Sequence, residues 1–375
     1  MLTSLIAKRF VKRVQGMHRG LLCLTLILSF LGLIMQYSAA GGDVGLFAVP
    51  QAIRLLLGLV LMVIIAATPP QLLFRLSYLL YGACVGLLVL VELVGVMGYG
   101  AQRWVGLGPL NLQPSELMKI GIILAIARYF HSIQLEHARH VFALIFPAIL
   151  TAIPVVLILL QPNLGTATIV SVIVFAMCFM AGIRGWYFLA AIGSVAASVP
   201  VIYHFLHDYQ KRRVMTFLDP SSDPLGAGYN IIQSKIAIGS GGFAGKGLLN
   251  GSQGQLDFLP EKQTDFIFTM LTEEMGFLGA LVLIALYGIL LFFSMVLAAR
   301  ARSAYGRLIS AGVAAMLSIH MFINMAMVMG MIPVVGVPLP FLSYGGSFLL
   351  TCLMACGLLQ HVYLNRDQTL SRRAF

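Results

Sequence analysis

About ten stretches of this chain run for close to twenty residues with almost no charge, at roughly 21–40, 51–67, 77–97, 115–131, 141–160, 166–182, 186–204, 266–297, 307–329 and 346–364. That is the length a helix needs to cross the ~30 Å hydrocarbon core of a bilayer. Backbone polar groups find no water there and must pair within the segment, so each stretch is expected to be an α-helix. The predicted fold is an all-α, polytopic integral membrane protein forming a single membrane domain over 1–375, with a long external loop at about 205–265 between helices 7 and 8. Charged residues are only 10% of the chain and the mean hydropathy is +0.94, in keeping with that reading.

The placement of charge gives the orientation. Ten spans put both termini on one side, and that side carries 15 of the 24 lysines and arginines, in 1–20, 68–76, 128–140, 183–185, 298–307 and 365–375. The excess marks the cytoplasmic face. Six of the other nine lie in the long loop, balanced by Asp208, Asp219, Asp223, Asp257, Glu261 and Asp265. The net charge of +11 therefore reads as topology, and no basic stripe interleaved with aromatics points to nucleic acid. The apolar run after Lys8, Arg9, Lys12, Arg13 and Arg19 exceeds a signal-peptide core and is read as a retained first helix. The five cysteines, Cys23, Cys84, Cys178, Cys352 and Cys356, fall inside apolar spans without His or carboxylate company and read as buried and inert. No internal repeat supports an inverted-repeat transporter.

One segment departs from these surroundings. Residues 233–247 are polar and glycine-rich, and they continue through Gln253 and Gln255 to Leu259-Pro-Glu-Lys-Gln-Thr-Asp-Phe-Ile-Phe268. The segment closes on Asp265, placed where an apolar helix starts. Two further segments on the same side are polar or broken by proline and glycine, 100–119 and 332–347. Irregular backbone at membrane depth needs protein or a wet cavity around it, so the three are expected to share an external cavity.

Within these segments the chemistry-bearing residues each have a plain alternative. Glu116 and Lys119, three apart after Gln113-Pro114-Ser115, share a helix face. They read as an ion pair at the cavity rim with Lys119 available to a phosphate, or as a helix-start acid and a snorkelling lysine. Asp265 reads as a catalytic carboxylate or as an N-terminal cap. Gly239-Ser-Gly-Gly-Phe-Ala244 matches a dinucleotide pattern only superficially, with no βαβ unit around it, and Gly245-Lys246 departs from a P-loop at both neighbours, so no nucleotide is expected. Lys235 and Lys246 remain able to face an anion. Glu92, Glu273 and Glu274 lie inside apolar spans, where they must be paired, protonated or hydrated. A structural role is favoured for them over proton handling. His131, His137 and His140 are expected at the membrane interface, and Lys211, Arg212 and Arg213 in solvent or against lipid or phosphate.

Several of these stretches together resemble the SEDS family of cell-wall polymerases, in its RodA-type elongation branch: Arg103-Trp104, Gln113-Pro-Ser-Glu-Leu-Met-Lys119, 207–214, 219–228, 233–242, 259–268, Glu273-Glu274 with Gly276, and Pro338-Leu-Pro-Phe-Leu-Ser-Tyr-Gly-Gly346. They span nearly the whole chain in the family's order. Gly245-Lys-Gly247 and Gln253-Gly-Gln-Leu-Asp-Phe-Leu-Pro-Glu261 are similar to RodA rather than to its division relative FtsW. The resemblance implies an inverting peptidoglycan glycosyltransferase that polymerises lipid II, a disaccharide-pentapeptide on undecaprenyl pyrophosphate, on the outer face of the bacterial inner membrane during elongation. It implies Asp265 as the essential carboxylate and Glu116 and Lys119 as site residues. Arg103, Arg213, Lys246, Glu261 and Ser343 complete the expected substrate-binding set. A class B penicillin-binding protein and other elongation-complex membrane proteins are the implied partners, and a divalent cation, Mg or Mn, on Asp265 is an open expectation. One departure is Gln263, where the family has histidine before Thr-Asp.

That chemistry suits the residues. A donor carrying a pyrophosphate leaving group needs no acid to protonate it, so one carboxylate acting as base on the acceptor hydroxyl suffices, where a glycosidase uses two. The pyrophosphate calls instead for cations or a helix N-terminus, such as that near Gly345-Gly346-Ser347. A lipid II flippase and a non-catalytic scaffold of the wall-synthesis complex are the alternative readings.

Overall fold

The computed structural model describes residues 11–98, 101–107, 110–133, 141–205, 208–223, 226–256 and 258–371. Lys8, Arg9, His137, Arg139, His140, Asp257, Arg372 and Arg373, which entered the charge and histidine readings, lie outside them.

Helices occupy all ten predicted spans: α1 (Arg19–Ala39), α2 (Val49–Ala67, entered through a π-helical turn at Val44–Ala48), α3 (Pro70–Val94), α4 (Pro114–Ser132), α5 (Ile145–Leu160), α6 (Leu164–Met180), α7 (Gly185–Phe205), α11 (Ile267–Arg300), α12 (Ala304–Val328) and α13 (Gly346–Leu364). The intervening α8 (Asp208–Leu218), α9 (Ala227–Ser240) and α10 (Ser252–Gln255) build the long loop. Seven helices among the described residues are long and apolar enough to cross a membrane by length and composition. Of the other three spans, α6 has 17 residues, α7 is apolar over Gly185–Ser198, and α4 carries Glu116, Lys119 and Arg128. The chain is a multi-pass membrane protein.

Burial sorts the helices. The best-qualified windows of α12 and α13 are 67% and 83% buried, against 22% for α2 and α3. α4 is buried over nearly its whole length, from Pro114 to His131. Charge explains its place: Glu116 and Lys119 would be costly against lipid, so the helix that carries them goes to the centre. The outer helices turn residues such as Leu79, Leu93 and Phe292 outward, as a lipid-facing surface requires.

Two features were not in the sequence reading. Val96–Gly98, Ala101–Leu107 and Leu110–Leu112 form a three-stranded antiparallel sheet, β1-β2-β3, with Val96 paired to Trp104 and Val105 to Leu112. The long loop is also helical where glycine suggested turns. In α9, Ile231, Ser234 and Ala237 recur every three residues and are all buried, and Ser234 Oγ lies 2.7 Å from both Thr269 Oγ1 and the Val328 carbonyl.

His131 also departs from its expected interfacial place. It is buried, edge-on to Phe74, with its Nδ1 accepting from the Tyr305 N–H at 3.3 Å. That bond serves one of the amides a helix start leaves without an internal partner.

Candidate active site

The turn that carries Asp265 is fixed by its backbone. Glu261, held at φ +57°, offers its carbonyl to the N–H groups of Thr264, Asp265 and Phe266 at 3.1, 3.2 and 3.4 Å. On the far side, the Asp265 carbonyl accepts from Asn324 Nδ2 at 2.9 Å, and the same amide nitrogen donates to Val337 at 2.8 Å. The third external segment closes over this turn. Ser343 Oγ donates to the Thr264 carbonyl at 2.6 Å and accepts from Leu339 N–H at 2.7 Å, and Tyr344 N–H donates to the Gln263 carbonyl at 2.8 Å. Gln36 Nε2, from α1, donates to the carbonyls of Gln263 and Leu342 at 3.0 and 2.8 Å.

With the backbone so occupied, the carboxylate is free for other work. α11 begins at Ile267 behind Phe266, and no side chain caps its first turn, so the capping role open to Asp265 is not the one it takes. Among the described residues no hydrogen bond or ion pair holds its carboxylate oxygens. Asp265 is half-buried, with Gly336 close against Oδ2. Burial is the main cause that pushes its carboxyl up to about 6, the Glu261 charge adds to it, and Arg213 opposes it.

The Glu116–Lys119 pair is real but lies deeper than a cavity rim. Lys119 Nζ is 2.7 Å from Glu116 Oε2, and the two side chains are only 1% and 6% exposed. The ammonium also lies 2.8 Å from His320 Nε2 and 5.3 Å from the centre of the Phe348 ring. His320 Nδ1 is 2.8 Å from the Met316 carbonyl, which fixes the proton on Nδ1 and leaves Nε2 to accept from Lys119. His320 and Asn324 are four apart on α12 and so share a face. One receives Lys119 and the other grips the Asp265 backbone, which brings the two halves of the site onto one helix.

The other expected site residues are placed as follows. Arg213 is exposed on α8 with its charge acting on Asp265. Glu261 is half-buried, and its Oε2 accepts from Thr264 Oγ1 at 3.2 Å. Ser343 is buried with its hydroxyl used twice, donating to the Thr264 carbonyl and accepting from Leu339 N–H, so in this structure it braces the Asp265 turn. Arg103 donates to the carbonyls of Gln161 and Pro162 at 2.8 and 2.5 Å and braces β2 against the turn between α5 and α6. Lys246 does face an anion, but the anion is Glu273, at 2.7 Å. Glu273 is fully buried and also accepts from Ser252 Oγ and the N–H groups of Gln253 and Gly254 at 3.2, 3.1 and 3.4 Å. Glu274 accepts from the Ser38 hydroxyl. Glu273 is thus tied into the loop's own hydrogen bonds, in keeping with the structural role favoured for it, while the second carboxylate oxygen of Glu274 is buried without a hydrogen bond among the described residues.

Arg54, together with Asn324 and His320, escaped the sequence reading. The Arg54 guanidinium lies 4.6 Å over the Tyr344 ring, with its Nε close to Gly346, and its buried Nη1 has no hydrogen-bond partner. Gly346 opens α13, whose first turn also lacks a side-chain cap, so a guanidinium and a helix N-terminus converge. The signal available was a polar residue inside an apolar span, which marks functional candidates by default. Among the described residues no group of three His, Cys, Asp or Glu could hold a metal ion. Asp265, whose oxygens hold no partner among the described residues, and Glu261, whose charge acts on it, are the carboxylates that a Mg²⁺ shared with substrate phosphates would take.

A family model described as a cell cycle protein, FTSW_RODA_SPOVE, matches residues 19–368. The chain belongs to this FtsW/RodA/SpoVE family. It is 43% identical over 364 residues to the peptidoglycan glycosyltransferase MrdB of Escherichia coli K12, covering 96% of each chain. It also superimposes on a chain of a solved peptidoglycan synthase complex that coordinates polymerization and crosslinking, with a TM-score of 0.82 and 38% identity over 94% of this chain and 99% of that one. The rod shape determining protein RodA of Thermus thermophilus matches with a TM-score of 0.71 and 32% identity, over 94% and 98% of the two chains.

Proposed function

We propose that this protein is a peptidoglycan glycosyltransferase that polymerises lipid II on the outer face of the bacterial inner membrane, with both termini cytoplasmic. The observation that carries the reading is Asp265: a carboxylate whose backbone is held on both sides, whose oxygens hold no partner among the described residues, and whose pKa is raised to about 6. A base poised near the working pH is what removal of a hydroxyl proton requires.

In the proposed step the acceptor sugar hydroxyl loses its proton to Asp265 and its oxygen forms a bond to the donor's anomeric carbon. The bond from that carbon to the pyrophosphate breaks, and the lipid pyrophosphate leaves with the electron pair. Arg213, Arg54 and the N-terminus of α13 meet the departing charge, since a helix N-terminus and guanidinium groups both favour phosphate. Lys119, fixed by Glu116 and His320, adds a buried positive charge beneath them. In the competing role for Asp265, it would with Glu261 hold a divalent cation, Mg or Mn, that would supply neutralisation of the pyrophosphate. The glycan strands so made are passed to a class B penicillin-binding protein within a complex of elongation membrane proteins.

The test is lipid II binding and turnover in Asp265→Asn, with metal titrated. The base role predicts intact binding, turnover lower by roughly 100- to 10,000-fold, and no rescue by excess metal. Metal-dependent binding in the wild type that disappears in Asp265→Asn would assign Asp265 to the metal instead.

A further inference from the structure

We propose that the end of the bundle opposite Asp265 holds an anionic phospholipid of the bilayer, in a groove bounded by α1, α11 and α13. Asp265 stands just before the start of α11 and Arg300 closes its second segment, 277–300, which beyond the break at Gly276 is long enough to cross a bilayer.

The groove encloses about 340 Å³, a volume in the range of small-ligand sites. Leu21, Phe292, Val296 and Leu297 line it with apolar surface, while Arg300 and Arg366 supply positive charge, and no carboxylate lines it. Arg300 is exposed and makes no ion pair among the described residues. Arg366 lies over the Tyr363 ring at 4.3 Å and donates from Nη1 to the Tyr363 carbonyl at 3.3 Å, with a partly exposed contact of 3.7 Å to Asp367 that leaves Nη2 for a ligand. His18, also in the lining, accepts the Leu21 N–H on Nδ1 at 3.0 Å. Its neutral ring then carries the proton on Nε2, which leaves a further donor.

Donors and cations beside an apolar wall fit a phosphate diester with an acyl chain attached. Guanidinium groups take phosphate oxygens in a planar fork, and the chain covers Phe292 and Leu297. A free phosphate would leave that wall wet. A neighbouring transmembrane helix fits less well, since helices ending on this Lys/Arg-rich side tend to bring charge of the same sign. The proposal does not depend on the glycosyltransferase reading.

The test is native mass spectrometry of the purified full-length protein titrated with phosphatidylglycerol, phosphatidylcholine or inorganic phosphate. Phosphatidylglycerol should be retained in preference to phosphatidylcholine. Arg300→Gln and Arg366→Gln should each weaken its binding about fivefold, the worth of one basic residue facing an anionic lipid. Val296→Trp, which fills the wall and leaves both arginines, should expel it while the thermal midpoint shows the protein still folded. Equal binding of the two lipids, or phosphatidylglycerol binding unchanged by both Arg300→Gln and Val296→Trp, would overturn the assignment. Displacement of the lipid by inorganic phosphate at equal concentration would reassign the groove to a simple anion site.

Discussion

Asp265 has one protonation state that works as a base, which makes its environment testable. Its carboxyl is raised from 3.8 to about 6, so the active form is lost as pH falls through about 6. Turnover per unit substrate should therefore drop about tenfold per pH unit below that point and level off above it. Linkage runs in the same window: the folded protein holds a proton that the unfolded chain releases, so this residue's contribution to stability is full at low pH and is lost as pH rises through about 6. Arg213→Gln removes the opposing charge and should move the acid limb to higher pH, whereas Glu261→Gln should move it lower. A pH–rate profile unmoved by either change would remove the electrostatic account of the site. The sequence made Asp265 visible because an acid stands beside an apolar run. It could not decide between cap and catalyst, because that depends on where α11 begins and on whether another group already fills the carboxylate. Lys119 and Glu116 were legible as a pair from their spacing, but their burial against His320 and Phe348 depends on helix packing that spacing does not encode.

At the scale of elements, α11 is two helices joined at Gly276, whose backbone stands at φ 66° and ψ −164°. The break leaves hydrogen-bonding groups open at membrane depth, and the loop after α9 fills them. Lys246 and Gly247 N–H groups donate to the Glu273 and Glu274 carbonyls at 3.1 and 2.9 Å, and the Gly242 and Phe243 carbonyls accept from Phe277 and Leu278 at 2.9 and 3.2 Å. A β-carbon on Gly276 would fall 2.3 Å from the Gly245 nitrogen, and one on Gly245 would fall 2.2 Å from the Glu274 carbonyl oxygen. Gly276→Ala should lose roughly 3 kcal/mol or more by combining backbone strain with that clash, read as a lower thermal midpoint in detergent. Gly239→Ala, in α9 with nothing within 4 Å of the new atom, should be neutral or stabilise by up to ~1 kcal/mol. Equal effects of the two would contradict the stitched break. Glycine density made this stretch look like loop. Several of its glycines in fact serve close backbone approach, and that purpose is fixed by a partner element far away in sequence.

For the whole molecule, the ten helix positions were legible because bilayer thickness sets both length and composition. The sheet formed by Val96–Gly98, Ala101–Leu107 and Leu110–Leu112 was not, since two of its three strands are only three residues long and glycines interrupt the stretch. Orientation rests on the asymmetry of lysine and arginine. In a background without the native cysteines, a cysteine at Ser222 should react with an impermeant thiol reagent from outside, and one at Thr369 only after the membrane is opened. The reverse pattern would invert the protein and move Asp265 to the cytoplasm. The central claim is polymerisation at that outer face. Its most direct measurement is the product formed when purified protein, reconstituted in vesicles with the class B penicillin-binding protein proposed as its partner, is given lipid II. The account predicts glycan strands from the wild type and none from Asp265→Asn in the same membranes. Lipid II crossing the bilayer with no polymer formed, or strands made equally well without the Asp265 carboxylate, would contradict it.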